Sequence, residues 1–212
     1  MNPRETEPGR PVLNAPRAIL FDLDGVLVDS FEIWAHVLAL TAEELGVPPI
    51  TREHVRASWG QSVDADIDQY FPGRTREEIA RSYDRYFRAH LDRIVVLPGA
   101  NALLDQLSDA GRPTAVVTNS PRDVAGEILE HASFRVECLV AGTDVPAPKP
   151  APDMVTLACE KLGVTPNEAW MIGDTEYDRR AASGAGVFFV GVGIDGDLRV
   201  DGLSALAEIV RG

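Results

Sequence analysis

Lysine is almost missing from this sequence. Only Lys149 and Lys161 occur among 212 residues, and the remaining basic side chains are arginines. The charge balance is acidic, with 20 Lys and Arg against 33 Asp and Glu and a formal net charge of -13. Nucleic-acid binding rests on a basic face that neutralises phosphates, so this balance argues against that class. An acidic surface also repels small anions at long range, and any phosphate site must supply its own local positive charge. Two cysteines, Cys138 and Cys159, are too few for a disulfide framework and read as core thiols, one in a strand and one in a helix. No apolar run approaches the roughly 20 residues needed to cross a bilayer, which argues against a membrane partner. The N-terminal stretch lacks the apolar region of a secretion signal. A reduced, cytoplasmic setting is the expectation. His36, His54, His90 and His131 are scattered and form no metal-ligand pattern.

What remains is a chain that is 45% hydrophobic and 25% charged, the balance of a globular protein. Its length suits one α/β domain with a modest insertion. Residues 1–16, rich in Pro, Arg and Glu, read as a loose tail. Short apolar runs at Ala18–Phe21, Thr114–Thr118, Val136–Ala141, Ala169–Ile172 and Val187–Val192 suit strands buried on both faces. Helical patterns separate them. One runs over Asn101–Ala110 and stops at Gly111. Another opens with Ser120 as cap and Pro121 in the first helical position, and a third covers Pro152–Leu162 before Gly163. Strand alternating with helix predicts a Rossmann-like parallel sheet with helices on both faces.

Residues 31–96 interrupt that rhythm. Phe31–Leu45 is an amphipathic helix with Gly46 as its stop. Thr75 and Glu78 form a capping-box pattern before a second long helix carrying Ile79, Tyr83 and Phe87. A helical insertion between the first strand and the rest of an α/β core is expected, with core residues 17–30 and 97–212.

Four segments stand at strand ends, where open α/β sheets bind ligands. Asp22 and Asp24 in Asp22-Leu23-Asp24-Gly25 lie two residues apart, a spacing that suits a nucleophile beside an acid/base and also suits a plain turn. Thr118-Asn119-Ser120 puts hydroxyls where a helix begins, which suits a phosphate or merely an N-cap. Lys149 sits among prolines that stiffen its loop, so it is either a placed charge or a solvated one. In Gly173-Asp174-Thr175-Glu176-Tyr177-Asp178, the glycine is expected to permit a sharp turn. Asp174 and Asp178 then offer the hard oxygen ligands that Mg²⁺ prefers, although Asp178 could instead favour a helix dipole.

Together the four segments contain the parts phosphoryl transfer needs. From Arg17 onward the chain resembles the haloacid dehalogenase superfamily, and within it the branch with a small helical cap that includes phosphoglycolate phosphatase and β-phosphoglucomutase. The resemblance implies a Mg²⁺-dependent phosphatase of a small phosphorylated metabolite. In it Asp22 would become an aspartyl phosphate and Asp24 would be the acid/base. Thr118 would bind the transferring phosphoryl group with Asn119 and Ser120 beside it, and Lys149 would neutralise Asp22 and the phosphoryl oxygens. The metal set would be Asp22, the Asp24 carbonyl and Asp174, supported by Asp178. Residues 31–96 would be the cap, with Trp59, Gly60 and Gln61 in a loop over the site that contacts substrate. Either a monomer or a homodimer is compatible with the sequence.

Within the same fold, a dehalogenase would not need Asp24, and a phosphonate hydrolase would need a cap lysine that residues 31–96 lack. A phosphomutase would use the same four motifs. From another class, a signalling receiver also phosphorylates an Asp near a Thr and a Lys. Its metal acids, however, precede that Asp in the chain, whereas Asp174 comes late. A non-catalytic binding module has little need of the full acid set.

Overall fold

The computed structural model describes residues 15–211, so the tail expected over residues 1–16 lies outside them except for its last two positions. Ala18–Phe21 form strand β1, buried throughout. Successive strand side chains leave opposite faces. Ile19 and Phe21 pack with one apolar cluster and Ala18 and Leu20 with the other, which is why the run shows no polar alternation.

After β1 the chain makes a two-residue strand β2 (Val28–Asp29) and enters four helices: α1 (Phe31–Leu45), α2 (Arg52–Ala57), α3 (Val63–Tyr70) and α4 (Arg76–Arg88). Helix α1 ends where expected, at Gly46 with φ 64°. The capping box of α4 forms, with Glu78 N–H donating to Thr75 Oγ1 at 3.2 Å and Thr75 N–H to Glu78 Oε2 at 2.9 Å. Strand β3 (Val95–Val96) then pairs antiparallel with β2. The helical unit thus leaves and rejoins the chain through a two-stranded ribbon, which the apolar pattern had not marked because both residues of β3 are exposed.

The remainder alternates α5 (Ala100–Asp109), β4 (Thr114–Thr118), α6 (Arg122–His131), β5 (Cys138–Ala141), α7 (Asp153–Leu162), β6 (Ala169–Gly173), α8 (Glu176–Ala185), β7 (Phe188–Val192), β8 (Leu198–Val200) and α9 (Leu203–Arg211). The six long-range strands form one parallel sheet in the order β5-β4-β1-β6-β7-β8. This is the Rossmann-like α/β core expected. Helices α5, α6 and α9 cover one face, with Leu104, Ile128 and Leu206 in the same cluster as Phe21. Helices α7 and α8 cover the other, with Met154, Ala158 and Ala181 packed against the Leu20 side. The first cluster continues without a break into the helical unit through Trp34, Leu38, Tyr83 and Phe87.

Some local details differ from expectation. Helix α6 begins one residue later than its Pro signal implied, with Pro121 itself at the cap position and no side-chain cap. Strand β5 begins at Cys138 rather than Val136, and Cys138 is only half-buried at the sheet edge, unlike the buried Cys159. Strand β8 was not anticipated. Asp195-Gly196-Asp197 belongs to the short bend that leads into it, where Asp197 Oδ2 accepts the Phe189 N–H at 2.8 Å.

Candidate active site

Strand β1 lies between β4 and β6, so the carboxyl ends of all three strands meet at one edge of the sheet. Asp22 follows β1, Thr118 ends β4, and Asp174 follows β6. The Asp22 N–H donates to the Ile172 carbonyl at 2.9 Å, which continues the ladder one residue past β1 and sets the direction of the Asp22 side chain.

Lys149 is buried beneath this edge. Its ammonium donates to Asp22 Oδ1 at 2.8 Å, to Asp178 Oδ1 at 2.6 Å and to the Val117 carbonyl at 2.9 Å. An ammonium has three N–H groups, so the protein uses all of them. Burial alone would lower the Lys149 pKa, but the ion pairs with Asp178 and Asp22 raise it above the ordinary lysine range. Lys149 is therefore a placed charge and not a solvated one.

Asp178 is fully buried. Its second oxygen accepts the Thr175 N–H at 3.1 Å and the Thr175 hydroxyl at 2.5 Å, which makes a capping box at the start of α8. The helix-start reading of this residue holds, since it caps α8, and it also pairs with Lys149. Gly173 does not turn the chain sharply as expected; it is the last residue of β6. Its role is space, because a Cβ there would lie 2.3 Å from Asp178 Cβ.

Carboxylate oxygens of Asp22, Asp174 and Asp178 lie within 4.8 Å of one another. Asp174 Oδ1 is buried and has no hydrogen-bond partner. Burial raises the Asp22 pKa well above the usual carboxylate range, and the charges of Asp178, Asp174 and Asp24 add to this while Lys149 opposes it. Burial and Asp178 push Asp174 up to about 7, opposed in part by the neighbouring Trp59 and Lys149. An oxygen-only donor set, crowded negative charge and an orphaned carboxylate oxygen together fit a hard divalent cation.

Asp24 is held from four directions. Its Oδ1 accepts the Trp34 indole N–H at 3.0 Å and the Ser30 hydroxyl. Its Oδ2 accepts the Ser120 hydroxyl at 2.7 Å and, more weakly, the Thr118 hydroxyl at 3.4 Å. Ser120 is thus not the N-cap of α6; its backbone N–H donates to Thr118 Oγ1 at 3.1 Å while its side chain reaches Asp24. Neither Trp34 nor Ser30 was among the expected site residues. The helical pattern marks Trp34 only as an inward position and carries no sign of where its N–H points.

The loop after α2 crosses to the core. Asn119 Nδ2 donates to the Gly60 carbonyl at 2.8 Å and to the Lys149 carbonyl at 2.9 Å. Gly60 has φ 84°, and a Cβ there would lie 2.8 Å from Thr175 Cγ2. Trp59 packs edge-on against Phe31 with centroids 5.4 Å apart. Gln61 donates to Asp66 Oδ1 at 2.6 Å. These residues border a cleft lined by Asp22, Asp24, Thr118, Asn119, Ser120 and Lys149 from the sheet edge, with Trp59, Gly60 and Gln61 from the loop. Every expected site residue except Asp174 and Asp178 lines this cleft, and those two join Asp22 in the acidic cluster beside it. No helix among the described residues is long and apolar enough to cross a membrane.

The sequence pattern of haloacid dehalogenase-like hydrolases matches residues 19–192. The chain is 34% identical over 177 residues to a phosphoglycolate phosphatase of Aquifex aeolicus, covering 80% of this chain and 81% of that one. It is 31% identical over 192 residues to a phosphoglycolate phosphatase of Pseudomonas putida, covering 84% and 69%. A crystal structure of a hydrolase from Pseudomonas syringae superposes with a TM-score of 0.78 at 27% identity, over 91% of this chain and 98% of that one. With a family pattern spanning most of the chain and relatives above 30% identity, the protein belongs to the haloacid dehalogenase-like hydrolase family.

Proposed function

We propose that this hydrolase is a Mg²⁺-dependent phosphatase that cleaves the phosphate monoester of a small metabolite through an aspartyl phosphate on Asp22. Residues 17–30 and 97–212 act as the catalytic core and residues 31–96 as its cap. The observation that carries this reading is the pairing of Asp22 with buried Lys149 at the floor of a cleft into which Asp24 also opens.

In the first step an Asp22 carboxylate oxygen attacks phosphorus while the bond from phosphorus to the ester oxygen breaks. Asp24 gives its proton to the departing alkoxide. In the second step Asp24 takes a proton from water as that water attacks phosphorus. The bond to Asp22 then breaks and inorganic phosphate leaves. Thr118, Asn119 and Ser120 orient the phosphoryl oxygens at the end of β4. Lys149 opposes the upward push of burial on the Asp22 pKa and so favours its ionised form, and Asp178 holds Lys149 in place. Asp22 and Asp174, with the Asp24 carbonyl, would hold Mg²⁺, and Asp178 would support the set. When bound, the ion neutralises phosphoryl charge and offsets the repulsion among these acids.

The test is hydrolysis of p-nitrophenyl phosphate with and without Mg²⁺, in wild type and in Asp22→Asn. Turnover that needs Mg²⁺ and disappears in the folded variant is expected. Turnover retained by Asp22→Asn would overturn the nucleophile assignment.

A further inference from the structure

The half of the cleft contributed by the helical unit is lined by Trp34, Leu38, Val55, Trp59 and Val63, with Asp66 as its charged residue. Lys149 is the single cation among all the lining residues, and its three N–H groups are already committed to Asp22, Asp178 and the Val117 carbonyl. None of the eight arginines of the same helical unit lines the cleft; Arg56 lies over the Phe31 ring, and four others pair with acids outside the cleft. Arg76 pairs with Asp64, Arg85 with Glu44, Arg88 with Glu127 and Arg52 with Glu32.

Asp66 is buried on α3. Its Oδ1 accepts the Gln61 amide at 2.6 Å and its Oδ2 accepts the Tyr83 hydroxyl at 2.8 Å. Both of these donors are neutral, so no cation offsets the charge. A carboxylate has about four acceptor positions, which leaves Asp66 able to take further donors from a ligand.

A phosphoryl group seated at Asp22 would direct the rest of its ester into this half. A carboxylate or second phosphate there would lose water, find no cation and approach Asp66. Such like-charge contact with no cation to offset it is unfavourable. A hydroxyl or an ammonium would instead donate to Asp66, and a carbon chain would lie against the indole rings.

We infer that the cleft selects phosphate monoesters whose organic part is neutral or cationic, with Asp66 as the residue that rejects a second anionic group. Phosphoglycolate and bisphosphates are therefore poor ligands, although relatives of the chain are phosphoglycolate phosphatases. The inference rests on the phosphatase reading for the position of the phosphoryl group.

The test is the Kd of four esters in Mg²⁺, measured by tryptophan fluorescence on Asp22→Asn protein so that turnover does not interfere. The esters are glycerol 2-phosphate, phosphoethanolamine, phosphoglycolate and glucose 1,6-bisphosphate. The first two are expected to bind at least about tenfold more tightly than the last two, a difference of about 1.4 kcal/mol. Adding Asp66→Asn should narrow that gap by strengthening the anionic pair. Equal or tighter binding of phosphoglycolate or the bisphosphate overturns the inference. So does an unchanged gap in an Asp66→Asn protein that keeps its circular dichroism. The expected ranking in a wild-type protein that fails to hydrolyse p-nitrophenyl phosphate would overturn the phosphatase reading and leave the selectivity standing.

Discussion

The indole N–H of Trp34 donates to Asp24 Oδ1 at 3.0 Å, joining α1 of the helical unit to a carboxylate at the sheet edge. The ring packs on Tyr83 and Phe87, with centroids 5.4 and 5.1 Å away, so its direction is set by the interior of that unit. The proposed acid/base is therefore aimed partly by the proposed cap.

Trp34→Phe keeps an aromatic ring and removes the N–H. A hydrogen bond to a charged group is worth about 1.5–3 kcal/mol, so kcat on p-nitrophenyl phosphate should fall by roughly tenfold or more. KM should move little, because the bond reaches Asp24 and not the phosphoryl donors. Wild-type kcat in the variant would mean that Ser30, Ser120 and Thr118 suffice to hold Asp24.

Lys149→Ala should cost stability as well as activity. It leaves Asp22 and Asp178 buried without their shared cation, and breaking a buried pair in this way costs about 3–5 kcal/mol. Urea unfolding in metal-free buffer would measure it. A loss below about 1 kcal/mol, the scale of an exposed ion pair, would show that water reaches the three groups.

Mg²⁺ should stabilise the fold. Saturation at about 100 times Kd adds about 2.7 kcal/mol, visible as a rise in Tm. Asp174→Asn should abolish the rise, because it removes the carboxylate whose Oδ1 has no protein partner. A variant that still shows the full Mg²⁺ shift would place the ion elsewhere.

Burial raises Asp66 from its ordinary 3.8 to about 6, against the opposing hydrogen bonds of Gln61 and Tyr83. The folded state then holds a proton that the unfolded chain has already released. The Asp66 contribution to stability is present below about pH 4, declines as pH rises to about 6 and stays lost above that. Asp66→Asn should therefore be more stable than wild type at pH 8, by on the order of 3 kcal/mol, with the difference vanishing near pH 4. Denaturant unfolding across that range checks the sign. A variant less stable than wild type at pH 8 would mean that the ionised carboxylate is better solvated than its burial implies.

The parallel sheet was legible because strand burial and helix punctuation are local signals. Unalternated runs such as Ala18–Phe21 state that both faces are covered, and Gly46 and Gly163 end α1 and α7 in the left-handed conformation. Asp22, Thr118 and Asp174 could be placed at one edge because a parallel sheet carries the carboxyl ends of its strands to the same side. Strand β8 escaped notice because only five residues join it to its parallel neighbour β7, and a parallel pair usually implies a much longer crossover.

Partners across long separations were another matter. Ser120 lies 96 residues from Asp24 and Lys149 lies 127 residues from Asp22, yet each pair is in hydrogen-bond contact. Residue types and spacing said that a hydroxyl, a lysine and two acids were available at strand ends. They did not say that Ser120 leaves the α6 cap to reach Asp24, that Lys149 spends every N–H on the protein, or that Trp34 turns its N–H toward the acid. Those outcomes depend on side-chain direction, which is settled when helices and sheet pack and each buried polar group must find a partner. The selective character of the cleft has the same origin. Asp66 is one acid among several in a polar helix, and it lines the cleft uncompensated because the fold brings none of the helical unit's arginines to that surface; Arg76 and Arg85, for example, pair with other carboxylates.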